Sequence, residues 1–318
     1  MDLVSGEDIA AAVRRIAGQV VSTPLLDCPR LSGELGLRVR LKAENLQRTG
    51  SFKVRGAANA LFARRERGEP LAGVTTFSAG NAAAATAYAA EQLGIPCVVC
   101  MPVGAVASKV DNTRRYGGEV VLTDDLVSTC HQIAQERGYL VLHPFDDPEV
   151  IAGQGTVGAE IAEDCTGDSP DLVVVPVGGG GLISGVAAAL AALSPGTRVV
   201  GVEPAGANAM TYAMSAGPLV PLPQRPASLA DGLAAPFAGE HTLAHVQQLV
   251  ERIVVLPEDA IAPAWWRLMD ASKLLVEPSA AVGLAALERG LVEVAPGTHV
   301  VLVLSGGNTS PSHLAALG

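Results

Sequence analysis

The chain has 318 residues, 49% of them hydrophobic and only 3% aromatic, so a sizeable core has to be built from Ala, Val, Leu and Ile. That composition favours helices packed on parallel sheets, and the length points to one large or two interleaved domains. A net charge of −10 leaves no electrostatic footprint for nucleic acid or an anionic membrane surface.

The N-terminus, MDLVSGEDIAAAVRRIAG, lacks the basic start and apolar core of a secretory signal and reads as an amphipathic first helix. The apolar runs are broken by Gly and Pro before any could span a bilayer, so a cytoplasmic protein is expected. From about residue 72 the pattern alternates. VTTFS, PCVVCMP, EVVLT and YLVLHP read as strands, with helical segments between them. These four strands form a unit by themselves. The alternation resumes with GQGTVGAEIAEDC, DLVVVPV, GGLISGVAAALAAL and TRVVGVEP. Residues 205 to 250 are less regular and rich in proline, and the chain then returns through RIVVLP to a last strand, THVVLVLS.

The fold class expected is α/β, with two interleaved open twisted parallel sheets and a cleft between them. The boundaries expected are 1–73 with 147–318 for a discontinuous large domain, and 74–146 for a small inserted one. Open α/β sheets bind ligands at the carboxyl ends of their strands.

Five cysteines, Cys28, Cys97, Cys100, Cys130 and Cys165, are scattered and odd in number, which suits reduced thiols. Cys97 and Cys100 form a CxxC on a strand. Three residues apart they face opposite sides and cannot chelate one ion. His241 and His245 share a face if HTLAH is helical, but lack a third ligand, so solvated or capping histidines are expected.

Four strand-end turns carry chemistry. In PVGGGGLISG, Gly178 to Gly181 let backbone N–H groups turn inward ahead of a helix start, which suits a phosphate. The segment is neither GxGxxG with a ribose-binding acid nor a Walker lysine motif, so a small phosphate without a nucleotide fits best. The second is SFKVRGA. The chain has only four lysines, and Lys53, between Phe52 and nearby Arg55, is a candidate amine nucleophile, although a surface lysine at a helix start reads the same way. The third, SAGN, runs from Ser78 to Asn81 and opens an Ala-rich helix, which suits a carboxylate or phenolate oxygen as well as an ordinary Asn cap. The fourth, SGGN, places Ser305 at a strand end, where its hydroxyl can enter a cleft or simply mark a turn.

SFKVRGA, SAGN, HPFDDPEVIAGQGT, GGGGL, ADG and SGGN occur in an order that resembles the fold-type II pyridoxal-phosphate enzymes, specifically the serine/threonine dehydratase and serine racemase group. The resemblance runs from STPLL to SGGN, nearly the whole chain. It implies that Lys53 holds pyridoxal 5′-phosphate as a Schiff base and removes the substrate's Cα proton. Phe52 would lie near the ring, Asn81 would bond the phenolic oxygen, and Gly178, Gly179, Gly180, Gly181 and Leu182 would cradle the phosphate. Ser305 would face the pyridine nitrogen and leave it unprotonated, which suits prompt β-elimination. Ser78, Ala79, Gly80, Asn81 and Ala82 would bind the substrate. The activity implied is conversion of L-threonine or L-serine to a 2-keto acid and ammonia by a homodimer. Alternatives are a dehydratase of a bulkier hydroxy amino acid, a racemase, a β-replacement synthase, or a sensor that binds without turnover.

The departures are specific. The family's usual His and Gln in SxGNHxQ are Ala82 and Ala84, which removes polar side chains and volume from the pocket. Ala79 stands where racemases carry an opposite-face serine. Of the racemase branch's divalent-cation site, Glu203 and the Ala207 carbonyl are present, but the second acid is Ala209, so no cation is expected.

Overall fold

A computed structural model describes residues 2–78, 80–105 and 107–309. In chain order the elements are α1 (Gly6–Ile16), β1 (Leu25–Asp27), α2 (Pro29–Leu35), β2 (Arg38–Ala43), α3 (Lys53–Glu66) and β3 (Val74–Phe77). There follow α4 (Asn81–Leu93), β4 (Cys97–Pro102), α5 (Ala107–Arg115), β5 (Glu119–Thr123), α6 (Leu126–Arg137), β6 (Leu140–Val141) and α7 (Pro148–Asp164). The remainder comprises β7 (Leu172–Pro176), α8 (Gly181–Leu193), β8 (Arg198–Pro204), α9 (Ala209–Ala216), α10 (Glu240–Leu249), β9 (Arg252–Leu256), α11 (Ile261–Ser272), α12 (Val282–Glu288) and β10 (His299–Leu304).

The strands form two sheets. The larger runs β1-β2-β10-β7-β8-β9, and the smaller, β5-β4-β3-β6, is parallel throughout. The smaller sheet lies wholly between β2 and β7 in sequence, so it is inserted into the larger. One strand departs from the parallel expectation: β1 pairs antiparallel with β2. Their link, residues 28–37, is shorter than the dozen or so residues a parallel crossover takes.

Alternation along the buried strands sorts the core onto two faces of the large sheet. Val174, Val200, Val300 and Leu302 pack on one side with Trp265 and α12. Val173, Val175, Val199, Val301 and Val303 pack on the other with Ile183 and Phe52. The same rule separates the CxxC: Cys97 enters the cluster with Val54, Leu61 and Ala83, whereas Cys100 packs with Cys130 on the opposite face. All five cysteines are buried free thiols. Helix α3 contributes Val54, Ala57 and Leu61 to the small sheet's core, although it precedes that sheet in sequence.

The amphipathic first helix starts at Ser5, whose hydroxyl accepts the Asp8 N–H while Asp8 bonds back to the Ser5 N–H. Two helices, α9 and α10, stand in the stretch that reads as irregular in sequence. The latter is capped from a distance: Asp146 accepts the N–H groups of Glu240 (3.0 Å) and Thr242 (3.1 Å). On α10, His245 is neither solvated nor capping. It is buried, with Nε2 accepting the Val4 N–H at 2.9 Å and Nδ1 donating to the His241 carbonyl at 2.7 Å. Among the described residues no helix is long and apolar enough to cross a membrane.

Candidate active site

Lys53 opens α3, directly after a tight approach of residues 51–52 to the end of β10. Phe52 donates its N–H to the Ser305 carbonyl (3.1 Å), and Ser51 bridges to Gly306. This fixes the lysine at the carboxyl end of the large sheet. Arg55, one half-turn on, anchors the helix from beneath. It is buried, and its guanidinium reaches Glu44 through Nε and Nη2 (both 2.8 Å) and Glu160 through Nη1 (2.7 Å) and Nη2 (2.8 Å). Lys42, also buried, meets Glu160 at 2.7 Å. Two bidentate carboxylates therefore tie α3 to the end of β2 and to α7.

The Lys53 ammonium donates to the Pro144 carbonyl at 2.9 Å and lies 5.2 Å from the Phe52 ring centre. Desolvation lowers its pKa to about 8, partly offset by the negative charge of Glu277. A neutral amine is therefore accessible near neutral pH, as a nucleophile or proton acceptor requires.

Lys53 opens into a cavity of about 240 Å³. Ser78, Gly80, Asn81, Ala82 and Gly179 line the same cavity, so residues far apart in sequence meet there. Ala79 lies outside the described residues. The start of α4 has no side-chain cap, which leaves its first N–H groups available to an anion.

Phe52, Leu182 and Ser305 stand behind this surface and are buried. Ser305 Oγ is buried without a hydrogen-bond partner. Such an orphan is costly unless a ligand completes it. The glycine loop between β7 and α8 is equally specific. A Cβ on Gly179 would lie 2.5 Å from the Phe145 ring, and one on Gly180, at φ +92°, would lie 2.4 Å from Met210 Cε. Side chains there would close the approach to the uncapped start of α8.

Glu277 was not singled out from sequence. It is a lone acid in the apolar run LLVEPSAA, and an acid before proline inside such a run is the only signal it leaves. Buried beside Gly306 and Gly232, its carboxyl is pushed up to about 7 by desolvation, against the hydrogen bond from Asn81. Lys109 and Asp231 were also missed. They pair at 2.5 Å, and both line the cavity. His143 supports the strand end. Its Nδ1 accepts the Asp146 N–H (2.8 Å), its ring meets Phe145 edge-on at 4.5 Å, and burial holds its pKa down at about 4.

Residues 16–306 match the family model described as pyridoxal-phosphate dependent enzyme. The chain belongs to this family. It is 43% identical to an L-threonine ammonia-lyase of Geobacter sulfurreducens, over 94% of this chain and 74% of that protein. It is 38% identical to an L-threo-3-hydroxyaspartate ammonia-lyase of a Pseudomonas species, over 100% of this chain and 99% of that one. The solved structure of maize serine racemase superposes with a TM-score of 0.92 at 35% identity, over 99% of this chain and 97% of the other. The orphaned Ser305 hydroxyl, the bare glycine loop and the low-pKa lysine all fit the family's cofactor.

Proposed function

We propose that this chain is a pyridoxal-phosphate-dependent dehydratase that converts β-hydroxy L-amino acids, L-threonine and L-serine being the simplest, to 2-keto acids and ammonia. The observation that carries the reading is Lys53: a half-buried amine lowered to about 8, sharing one cavity with the start of α4 and the glycine loop. The ammonia-lyases among its relatives support the reaction type.

Lys53 would hold the cofactor, Gly178 to Leu182 its phosphate and Asn81 its phenolic oxygen, with Ser305 at the ring nitrogen and Phe52 near the ring. Bound there, the cofactor would supply an electron sink for the bond broken at Cα. The N–H groups at the start of α4, within Ser78 to Ala82, receive the substrate carboxylate and fix the Cα–H bond toward Lys53. Lys53, displaced by the substrate amine, takes the Cα proton at Nζ. The Cβ–O bond would then break, the hydroxyl leaving as water with the proton held at Lys53 Nζ, which returns the lysine to its neutral form. Lys53 then returns to release an enamine, which tautomerises and takes back one water, so one amino acid yields one keto acid and one ammonia.

We take residues 74–146 as the inserted domain and 1–73 with 147–318 as the larger one. Five buried thiols suit a cytoplasmic setting, and a homodimer is the assembly we assign, to be read by sedimentation.

The test is keto-acid release from L-threonine and L-serine by the holoenzyme and by Lys53→Ala. Loss of a proton-transferring group costs about 10²- to 10⁴-fold. A Lys53→Ala protein at the wild-type rate removes the assignment, and loss of Cα chirality without keto acid marks a racemase instead.

A further inference from the structure

We infer that the preferred substrate carries an apolar β-substituent larger than methyl, housed between the start of α6 and residues 234–237. This rests on the elimination reading above and names its substrate class.

The cavity over Lys53 has three kinds of wall. The start of α4 offers N–H groups to a carboxylate, and Lys53 with Gly179 takes the cofactor side. The third wall is carbon: Leu126 and Val127 come from the small-sheet unit, and Ala235, Pro236 and Phe237 from the large one. At the helix start Ala82 presents nothing beyond Cβ.

Two further ionic side chains line the cavity, and each is spent on the other: Lys109 Nζ sits 2.5 Å from Asp231 Oδ2. A β-carboxylate entering here has to displace Asp231 or lie against carbon without a counter-charge, which is strongly unfavourable. A β-substituent larger than methyl brings more carbon to that wall than hydrogen or methyl does. Two further buried carbons, each worth one methylene of transfer, raise kcat/KM by about tenfold.

The experiment compares kcat/KM of the holoenzyme for L-threo-3-hydroxyleucine, L-threo-3-phenylserine, L-threonine and L-threo-3-hydroxyaspartate, read as keto acid. In parallel, the inhibition constants of L-leucine and L-aspartate, which lack the leaving group, are measured. The expected result is hydroxyleucine or phenylserine about tenfold above threonine, hydroxyaspartate lowest, and leucine binding tighter than aspartate. Threonine ahead of both larger substrates, or hydroxyaspartate equal to them, overturns the inference and leaves the elimination reading intact. Keto acid from none of the four overturns the elimination reading, and leucine against aspartate then decides the pocket by binding alone. Leu126→Asp and Phe237→Ala are expected to lower the hydroxyleucine-to-threonine ratio. An unchanged ratio in both overturns the placement.

Discussion

The side-chain amide of Asn81 lies against the carboxylate of Glu277, with Nδ2 2.9 and 3.1 Å from its two oxygens. Asn81 Oδ1 in turn accepts from Asn308 Nδ2 at 2.8 Å. The contact joins the first residue of α4, in the small-sheet unit, to the segment before α12, and places a buried acid near Lys53. The charge of Glu277 raises the lysine's pKa, and the lysine and Lys109 pull the acid's down, while Asp231 raises it. His143, held near 4, is neutral at physiological pH.

Glu277→Gln is therefore expected to lower the Lys53 pKa below about 8, because only the favourable charge is removed. Attack on the cofactor aldehyde needs the neutral amine. In the wild type, covalent loading of the apoprotein should accelerate with pH and level off above about 8. The variant should level off at lower pH. Loading followed by cofactor absorbance across the pH range reads this directly, and superimposable profiles show that Glu277 does not act on the lysine.

The glycine loop makes a separate prediction. Alanine at Gly179 brings Cβ to 2.5 Å from the Phe145 ring, which has to shift along with the turn that carries Pro144, the acceptor for Lys53. Overpacking of this kind costs about 1–3 kcal/mol. The expected consequence is cofactor affinity weaker by about tenfold or more, measured by titrating apoprotein while the unfolding transition is followed separately. Gly180→Ala adds backbone strain at φ +92° and should lose more.

Strands β3 to β5 and β7 to β10 are legible in sequence because each is a run of aliphatic or β-branched residues between breakers. The same holds for the turns at their ends, where Gly178 to Gly181, Asn81 and Ser305 fall. Strand β2 is not, because RVRLKA alternates charge with carbon, and its buried Lys42 meets partners from distant α7. Glu277 escapes for a related reason. Its burial is created by Gly306, Gly232 and Asn81 closing around it, and none of these is near in sequence. Local pattern reports which face of an element is apolar; it carries nothing about which distant groups complete a polar one.

Arg55 shows what such completion is worth. Removing it leaves Glu44, with no exposed side-chain surface, and Glu160, at 15%, facing each other without the cation between them. Breaking a buried pair from one side costs about 3–5 kcal/mol. Arg55→Met should lower denaturant stability by about that amount, whereas Arg55→Lys keeps the charge but loses the double fork and should fall between. A full-stability Arg55→Met protein would mean that the network contributes nothing net.

Glu203 is the residue on which the expectation of no divalent cation can be tested. Its two oxygens accept the Met210 N–H (2.7 Å), the Thr211 N–H (2.9 Å) and the Thr211 hydroxyl (2.7 Å), so the carboxylate caps α9. Burial pushes it up to about 7 despite those three donors. Cation sites of the calcium type take about six to eight oxygens, and the Glu203 oxygens are already engaged by these three donors. Dialysis against EDTA, then magnesium, manganese or calcium, is expected to leave activity and melting temperature unchanged. Glu203→Ala should lose a helix cap, about 0.5–2 kcal/mol, equally with and without cation. A melting temperature that rises with calcium in the wild type but not in Glu203→Ala would show that the carboxylate binds metal rather than the helix.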